Sequence, residues 1–299
     1  MFQGVATALI TPFKNDKIDL HSFENLLNFQ LECNIHALLV CGSTGESNFL
    51  NPLEREQLIK KTVEKAKGKC PVIVGTAAYS TQDTISLTQS AKQLGANAVL
   101  IVPPPYVKPT QEGIFQYFKD VHDAVDIPII LYDNPGRAIV KIELETIERL
   151  AELPRIIGLK DATGDLTRPA LIRAIVSDDF MLYSGEDATA ASFLAEGGHG
   201  CISVVANIAP AECVDLQNAW TQKDLSKFFQ LRDALALLSK ALFCESNPVP
   251  VKYGASLLRL CESTPRKPLL PATSTTQETV RIAMEKSNVL PLQKTSQTG

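Results

Sequence analysis

Eight short apolar runs recur along the chain, at 5–10, 37–41, 72–75, 98–102, 129–132, 156–160, 181–184 and 201–205. Each is rich in β-branched residues, and its hydrophobicity is near-continuous rather than alternating, the pattern of parallel strands covered on both faces. Longer stretches with helical periodicity lie between them, among them 20–33, 52–67, 81–94 and 111–124. Asn51 precedes Pro52, and Thr110 precedes Gln111-Glu112, so a capping side chain stands ahead of each helix. Gly68 and Gly95 fall where helices close. Eight strands alternating with helices specify an α/β fold, a closed TIM (β/α)8 barrel. An open doubly wound sheet carries a phosphate loop after its first strand. Here the first run passes into Thr11-Pro12-Phe13, with neither GxGxxG nor GxxxxGK[ST].

The barrel accounts for residues 1–223. Residues 224–287 are helical in pattern throughout (225–242, 250–260, 276–286) and read as a C-terminal helical appendage beside it. Residues 288–299 are polar and aperiodic and predict a frayed, disordered tail.

Composition narrows the function. A net charge of -4 without a basic run offers no footprint for nucleic acid, and no apolar run is long enough to span a membrane. The opening MFQGVATALITPFKND lacks a basic lead and reads as a strand, not a signal peptide. Seven scattered cysteines without a CxxC pair suggest reduced thiols in a cytoplasmic enzyme. Four separated histidines, with no HxxxH or mixed cluster, favour chemistry without a metal or other cofactor. His199, in the turn Gly197-Gly198-His199-Gly200, reads as structural.

In such barrels reactive groups lie at the C-terminal ends of strands and on the loops that follow. Lys160 closes the sixth run, placing an amine inside the barrel mouth, where desolvation disfavours an ammonium and frees the amine to attack a carbonyl. Tyr132 ends the preceding run, within reach to pass protons to an adduct. Arg137 follows on the turn Asn134-Pro135-Gly136, where its guanidinium could grip a carboxylate. Gly42-Ser43-Thr44-Gly45 offers two hydroxyls and several backbone N–H groups. Taken singly each has a structural alternative: a snorkelling lysine, a core tyrosine, a surface arginine, an ordinary polar turn.

In combination these segments closely resemble the dihydrodipicolinate synthase (4-hydroxy-tetrahydrodipicolinate synthase) family. The motifs are GSTGES at 42–47, PYVKPTQEG from 105, YDNPGR at 132–137 and GLKDATG at 158–164. SGED at 184–187, GGHGCISVVAN at 197–207 and NPVPVK at 247–252 fit as well, so the resemblance runs from Phe2 to about Met284. It implies a class I aldolase-type lyase of lysine and diaminopimelate biosynthesis, condensing pyruvate with L-aspartate 4-semialdehyde. Lys160 would form the Schiff base and Tyr132 would be the central acid/base. Thr44, beside Ser43, would pass protons towards Tyr106. That second tyrosine would cross a dimer interface, implying a homo-oligomer, a dimer of dimers. Thr44 and the Ile202 backbone would hold the pyruvate carboxylate, Gly185 would line the pocket, and Arg137 would receive the semialdehyde carboxylate.

Departures from the family pattern sharpen the expectations. Ser43 replaces the commoner threonine and keeps the hydroxyl. Asp133-Asn134 replaces an asparagine and an aliphatic residue, for no reason apparent in the sequence. Lysine-sensitive members place histidine, asparagine and tyrosine where this chain has Pro52, Tyr79 and Pro105, although Ser47 and Asp83 are kept. Inhibition by lysine is therefore expected to be weak or absent. Sister Schiff-base aldolases acting on sialic acid or 2-keto-3-deoxy sugar acids share Lys160, Tyr132 and the hydroxyl turn, and only the Pro-Gly-Arg setting of Arg137 separates them. An inactive keto-acid-binding barrel would not need Lys160, Tyr132, Thr44 and Tyr106 together.

Overall fold

A computed structural model describes residues 2–290. Eight strands form the barrel: β1 (Gly4–Ala8), β2 (Ala37–Val40), β3 (Val72–Gly75), β4 (Ala98–Ile101), β5 (Ile129–Asp133), β6 (Ile156–Asp161), β7 (Met181–Ser184) and β8 (Gly200–Ser203). All pair in parallel in sequence order, and β8 pairs with β1 to close the ring. A short antiparallel hairpin, Phe13–Lys14 with Lys17–Ile18, follows β1.

Alternation along each strand divides the core in two. One set of side chains, including Ala6, Leu39, Ile73, Leu100, Ile130 and Ile202, fills the barrel interior. The other set, including Val5, Leu38, Val74, Leu131 and Leu159, meets the surrounding helices. Tyr132 belongs to the interior set. Its neighbour Leu131 faces the helices.

Two predicted strands end two residues early, each because a side chain takes the ladder's hydrogen bonds. The Ile10 N–H donates to Asn207 Oδ1 at 3.0 Å, so β1 stops at Ala8 and not at residue 10. The Asp187 carboxylate accepts the N–H groups of Val204 and Val205 at 2.8 and 3.3 Å, turning the chain into a 3-10 turn after Ser203. Conversely, β5 and β6 each run one residue further than their apolar runs, taking in Asp133 and Asp161.

Helices α1 (Leu20–Glu32), α2 (Pro52–Ala66), α3 (Thr81–Gln93), α4 (Gln111–Ala124), α5 (Pro135–Ala138), α6 (Leu144–Ala151), α7 (Arg168–Arg173), α8 (Ala190–Ala195) and α9 (Pro210–Thr221) surround the ring. Asn51 caps α2 in a reciprocal box with Glu54, and Thr110 caps α4 by accepting from the Gly113 N–H. Helices α10 (Leu225–Leu242), α11 (Val249–Leu257) and α12 (Ser274–Lys286) form the appendage. Buried ion pairing ties it to the barrel mouth. Lys252 Nζ on α11 lies 2.6 Å from Glu46 Oε1, and the Arg266 N–H donates to Glu46 Oε2 at 2.8 Å.

Residues 288–290 of the predicted tail are held against the body of the protein. The Val289 and Leu290 N–H groups both donate to the Met284 carbonyl, and the two side chains pack on the core, which orders residues 288–290. The remainder of that predicted tail, 291–299, lies outside the described residues.

Candidate active site

Two lysines are buried among the described residues, and they differ in one decisive respect. Lys252 is fully buried and paired with Glu46. Lys160 is 5% exposed and has no salt-bridge or hydrogen-bond partner among the described residues. Its Nζ lies 4.4 Å from the centroid of the Tyr132 ring. The arrangement follows from register, since Tyr132 on β5 stands directly opposite Lys160 on β6 and both side chains point inward. On its other side Lys160 pairs with Tyr183, whose hydroxyl donates to the Phe2 carbonyl at 2.8 Å and whose ring stacks on Phe2.

Tyr132 Oη accepts a hydrogen bond from Asn134 Nδ2 at 2.7 Å. Asn134 thus fixes the phenol, a role not apparent in the sequence. Gly185, just past β7, donates its N–H to the Asp161 carbonyl at 2.6 Å. A Cβ on Gly185 would lie 3.0 Å from Lys160 Cε, so only glycine leaves the lysine its space. Ile202 on β8 is 1% exposed and contributes its side chain to the barrel interior beside Tyr183.

The hydroxyl turn splits its two candidates. Ser43 is exposed and lines a cavity of about 450 Å³ at the mouth, together with Tyr132, Arg137 and Asn247. Thr44 is buried, and its Oγ1 accepts from Asn247 Nδ2 at 2.9 Å. The Asn247 carbonyl in turn accepts from Arg137 Nη2 at 3.2 Å, while Asn247 Oδ1 is buried without a partner among the described residues. Asn247 therefore couples Thr44 to Arg137, from the appendage side. A rule based on strand ends misses it, because it lies 203 residues from Thr44 in sequence.

Tyr106 is the candidate that its own chain does not bring to this cluster. It is 82% exposed and sits at φ +77°, a costly conformation for a non-glycine residue. Around Lys160 the carboxyls of Glu186 and Asp187 are pushed up chiefly by burial, against the pull of the lysine's positive charge. His199 is structural: its Nδ1 accepts from the Leu182 N–H at 3.0 Å. Among the described residues no cluster of His, Cys, Asp and Glu could hold a metal ion, and no helix is long and apolar enough to cross a membrane.

A parallel (β/α)8 barrel whose mouth holds an unpaired buried lysine against a tyrosine ring has the architecture of a class I aldolase-type lyase. The model of the dihydrodipicolinate synthetase family matches residues 1–287, and the chain belongs to that family. A 4-hydroxy-tetrahydrodipicolinate synthase from Rhodospirillum centenum is 49% identical over 290 residues, covering 97% of this chain and all of the relative. The crystal structure of dihydrodipicolinate synthase from Thermotoga maritima superposes with a TM-score of 0.95 at 42% identity, covering 97% of this chain and 100% of that one. A chloride-inhibited dihydrodipicolinate synthase from Acinetobacter baumannii, solved in complex with pyruvate, gives 0.94 at 39% identity over the same shares.

Proposed function

We propose that this lyase joins pyruvate to L-aspartate 4-semialdehyde through a Schiff base on Lys160, in lysine biosynthesis by way of diaminopimelate. The observation that carries the assignment of the nucleophile is the buried, unpaired Lys160 amine set against the Tyr132 ring. The neutral amine adds to the pyruvate ketone, and the carbinolamine loses water to give an iminium. Tyr132 supplies and removes the protons of these steps, held by Asn134. The iminium is an electron sink, so a methyl proton departs and an enamine forms. Its carbon attacks the semialdehyde carbonyl, and the resulting alkoxide takes a proton from the relay. The semialdehyde's own amine then adds to the iminium carbon, closing a ring and releasing Lys160 as a free amine.

Thr44 and the Ile202 backbone hold the pyruvate carboxylate, with Ser43 contributing a second hydroxyl at the cavity wall. Arg137 receives the carboxylate of the semialdehyde, its guanidinium oriented by the Asn247 carbonyl. Tyr106 extends the relay in a neighbouring copy of the chain, within a dimer of dimers. Its exposure and left-handed backbone support that reading. All seven cysteines are unpaired, which suits a cytoplasmic enzyme.

Borohydride treatment in the presence of pyruvate, followed by peptide mass analysis, tests the assignment. The expected result is a reduced pyruvate adduct on Lys160 and turnover with aspartate semialdehyde in preference to sugar aldehydes. An adduct elsewhere, or none, overturns the nucleophile. Turnover on sugar aldehydes alone places the chain with the sister aldolases.

A further inference from the structure

On the outer face of β5 and β6, one residue beyond Tyr132 and Lys160, stand two buried aspartates. Asp133 and Asp161 are register partners, as Tyr132 and Lys160 are. Between them lies a single cation. Arg168, the first residue of α7 and 2% exposed, donates from Nη2 to Asp133 Oδ2 at 2.7 Å and from Nε to Asp161 Oδ2 at 2.9 Å. Its Nη2 also donates to the Ile142 carbonyl at 3.2 Å. The Nε and Nη2 groups form one edge of a rigid planar fork, so this arginine fixes the spacing of its two acceptors as well as neutralising them.

We propose that Arg168 is a positioning residue for the reaction: by clasping Asp133 and Asp161 it holds the ends of β5 and β6 in the register that sets Lys160 against Tyr132. The proposal rests on the reading of Lys160 as the Schiff-base lysine. It also gives a physical reason for Asp133, whose carboxylate supplies one half of the clasp.

Three observations favour positioning over simple charge compensation. Arg168 lies on the helix side of the strands, while the Tyr132 and Lys160 side chains point the opposite way, so its influence travels through the strands it clamps. The backbone is laced at the same level, with the Ala162 N–H donating to the Asp133 carbonyl at 2.9 Å and the Gly185 N–H to the Asp161 carbonyl. Asp161 has further support of its own, because its Oδ1 accepts from the Thr163 N–H and hydroxyl at 2.8 and 2.6 Å. Asp133 leans chiefly on Arg168, with the Ile142 backbone beside it, and its Oδ1 has no partner in hydrogen-bond geometry among the described residues. A small displacement of a reacting group can cost about 10²-fold in rate, so a loosened clasp is visible in kinetics.

The test uses Arg168→Lys, which keeps the charge but cannot span two carboxylates with a rigid fork. The readouts are the rate of pyruvate trapping on Lys160 by borohydride at saturating pyruvate, kcat, and thermal stability. Expected are a trapping rate and kcat each lowered at least about tenfold, little change in the KM for pyruvate, and near-native stability. Native trapping and kcat in this variant would overturn the proposal, since charge compensation alone would then suffice. Should the variant fail to fold, Asp133→Asn/Arg168→Lys, in which one ammonium meets one carboxylate, takes its place with the same readouts. Slowed trapping in that double variant supports the clasp, and native trapping overturns it. Wild-type protein run alongside separates the two levels: no adduct there sinks the reading of Lys160, whereas a wild-type adduct with unimpaired variants sinks only the role of Arg168.

Discussion

One added carbon on Gly185 would stand 3.0 Å from Lys160 Cε and 2.7 Å from the Ala162 Cβ. The Asp161 carbonyl, also 3.0 Å away, is backbone and cannot yield as a flexible side chain would. Gly185→Ala must therefore displace the lysine stem or the ends of β6 and β7. The expected result is a folded protein whose pyruvate trapping falls by about 10²-fold, the cost of misplacing one reacting group. Far-UV circular dichroism and borohydride trapping check the two halves. Trapping at the native rate would mean that this wall does not constrain the nucleophile.

Arg137 and Lys160 serve different substrates in the proposed reaction, so their losses must separate kinetically. Arg137→Ala removes the cation that receives the second carboxylate and frees the Asn247 carbonyl, but leaves the Lys160–Tyr132 pair intact. Losing a charge-assisted hydrogen bond costs about 1.5–3 kcal/mol, or roughly 10–150-fold. The loss is expected in kcat/KM for aspartate semialdehyde, with pyruvate trapping unchanged. A fall in trapping of the same size would instead place Arg137 in the pyruvate site.

The barrel was legible because buried parallel strands write themselves as continuous apolar runs, and eight of them alternating with helices leave little choice of fold. Strand ends were harder to read, because Asn207 and Asp187 cut two strands short through contacts distant in sequence. The same limit applies at the site. Lys160, Tyr132 and Gly185 lie at strand ends, where a local rule finds them. Asn247 and Arg168 have their partners on other elements, so a rule based on strand ends points to neither. Asp133 illustrates the difference most clearly, as a charged residue after an apolar run reads as the start of a loop, yet its carboxylate is fully buried on the strand.

That burial makes Asp133 sensitive to pH. Desolvation pushes its carboxyl up to about 7, aided by the Asp161 charge and opposed by Arg168. In the unfolded chain the group ionises near 3.8. Between these values the native state holds more protons than the unfolded state, so stability falls as pH rises through this window. Its contribution is fully present below the unfolded value and lost above about 7. Asp133→Asn removes the group from titration. The fall in Tm between pH 5 and pH 8 is expected to be smaller in the variant by about 2–4 °C, which corresponds to roughly 1 kcal/mol at this scale. An identical pH slope in both proteins would show that Asp133 keeps the same charge throughout.

The family resemblance implies that lysine sensitivity would depend on polar groups that this chain has exchanged. Pro52 opens α2 inside the Asn51–Glu54 capping box and offers no side-chain donor or acceptor. Pro105 is equally mute, and Tyr79 stands 65% exposed on the wall of the same cavity. Ser47 remains at that wall, but the Asp83 carboxylate already accepts at 2.6 Å from the hydroxyl of Ser80, the residue that caps α3. Free lysine carries two ammonium groups and a carboxylate, each costly to desolvate without a partner. Two of the three polar contacts that would offset that cost are replaced by proline and the third by a phenol. L-Lysine is therefore expected to leave the rate of a coupled synthase assay essentially unchanged at sub-millimolar concentration. Half-inhibition in that range would show that Ser47 and Asp83 alone can hold it.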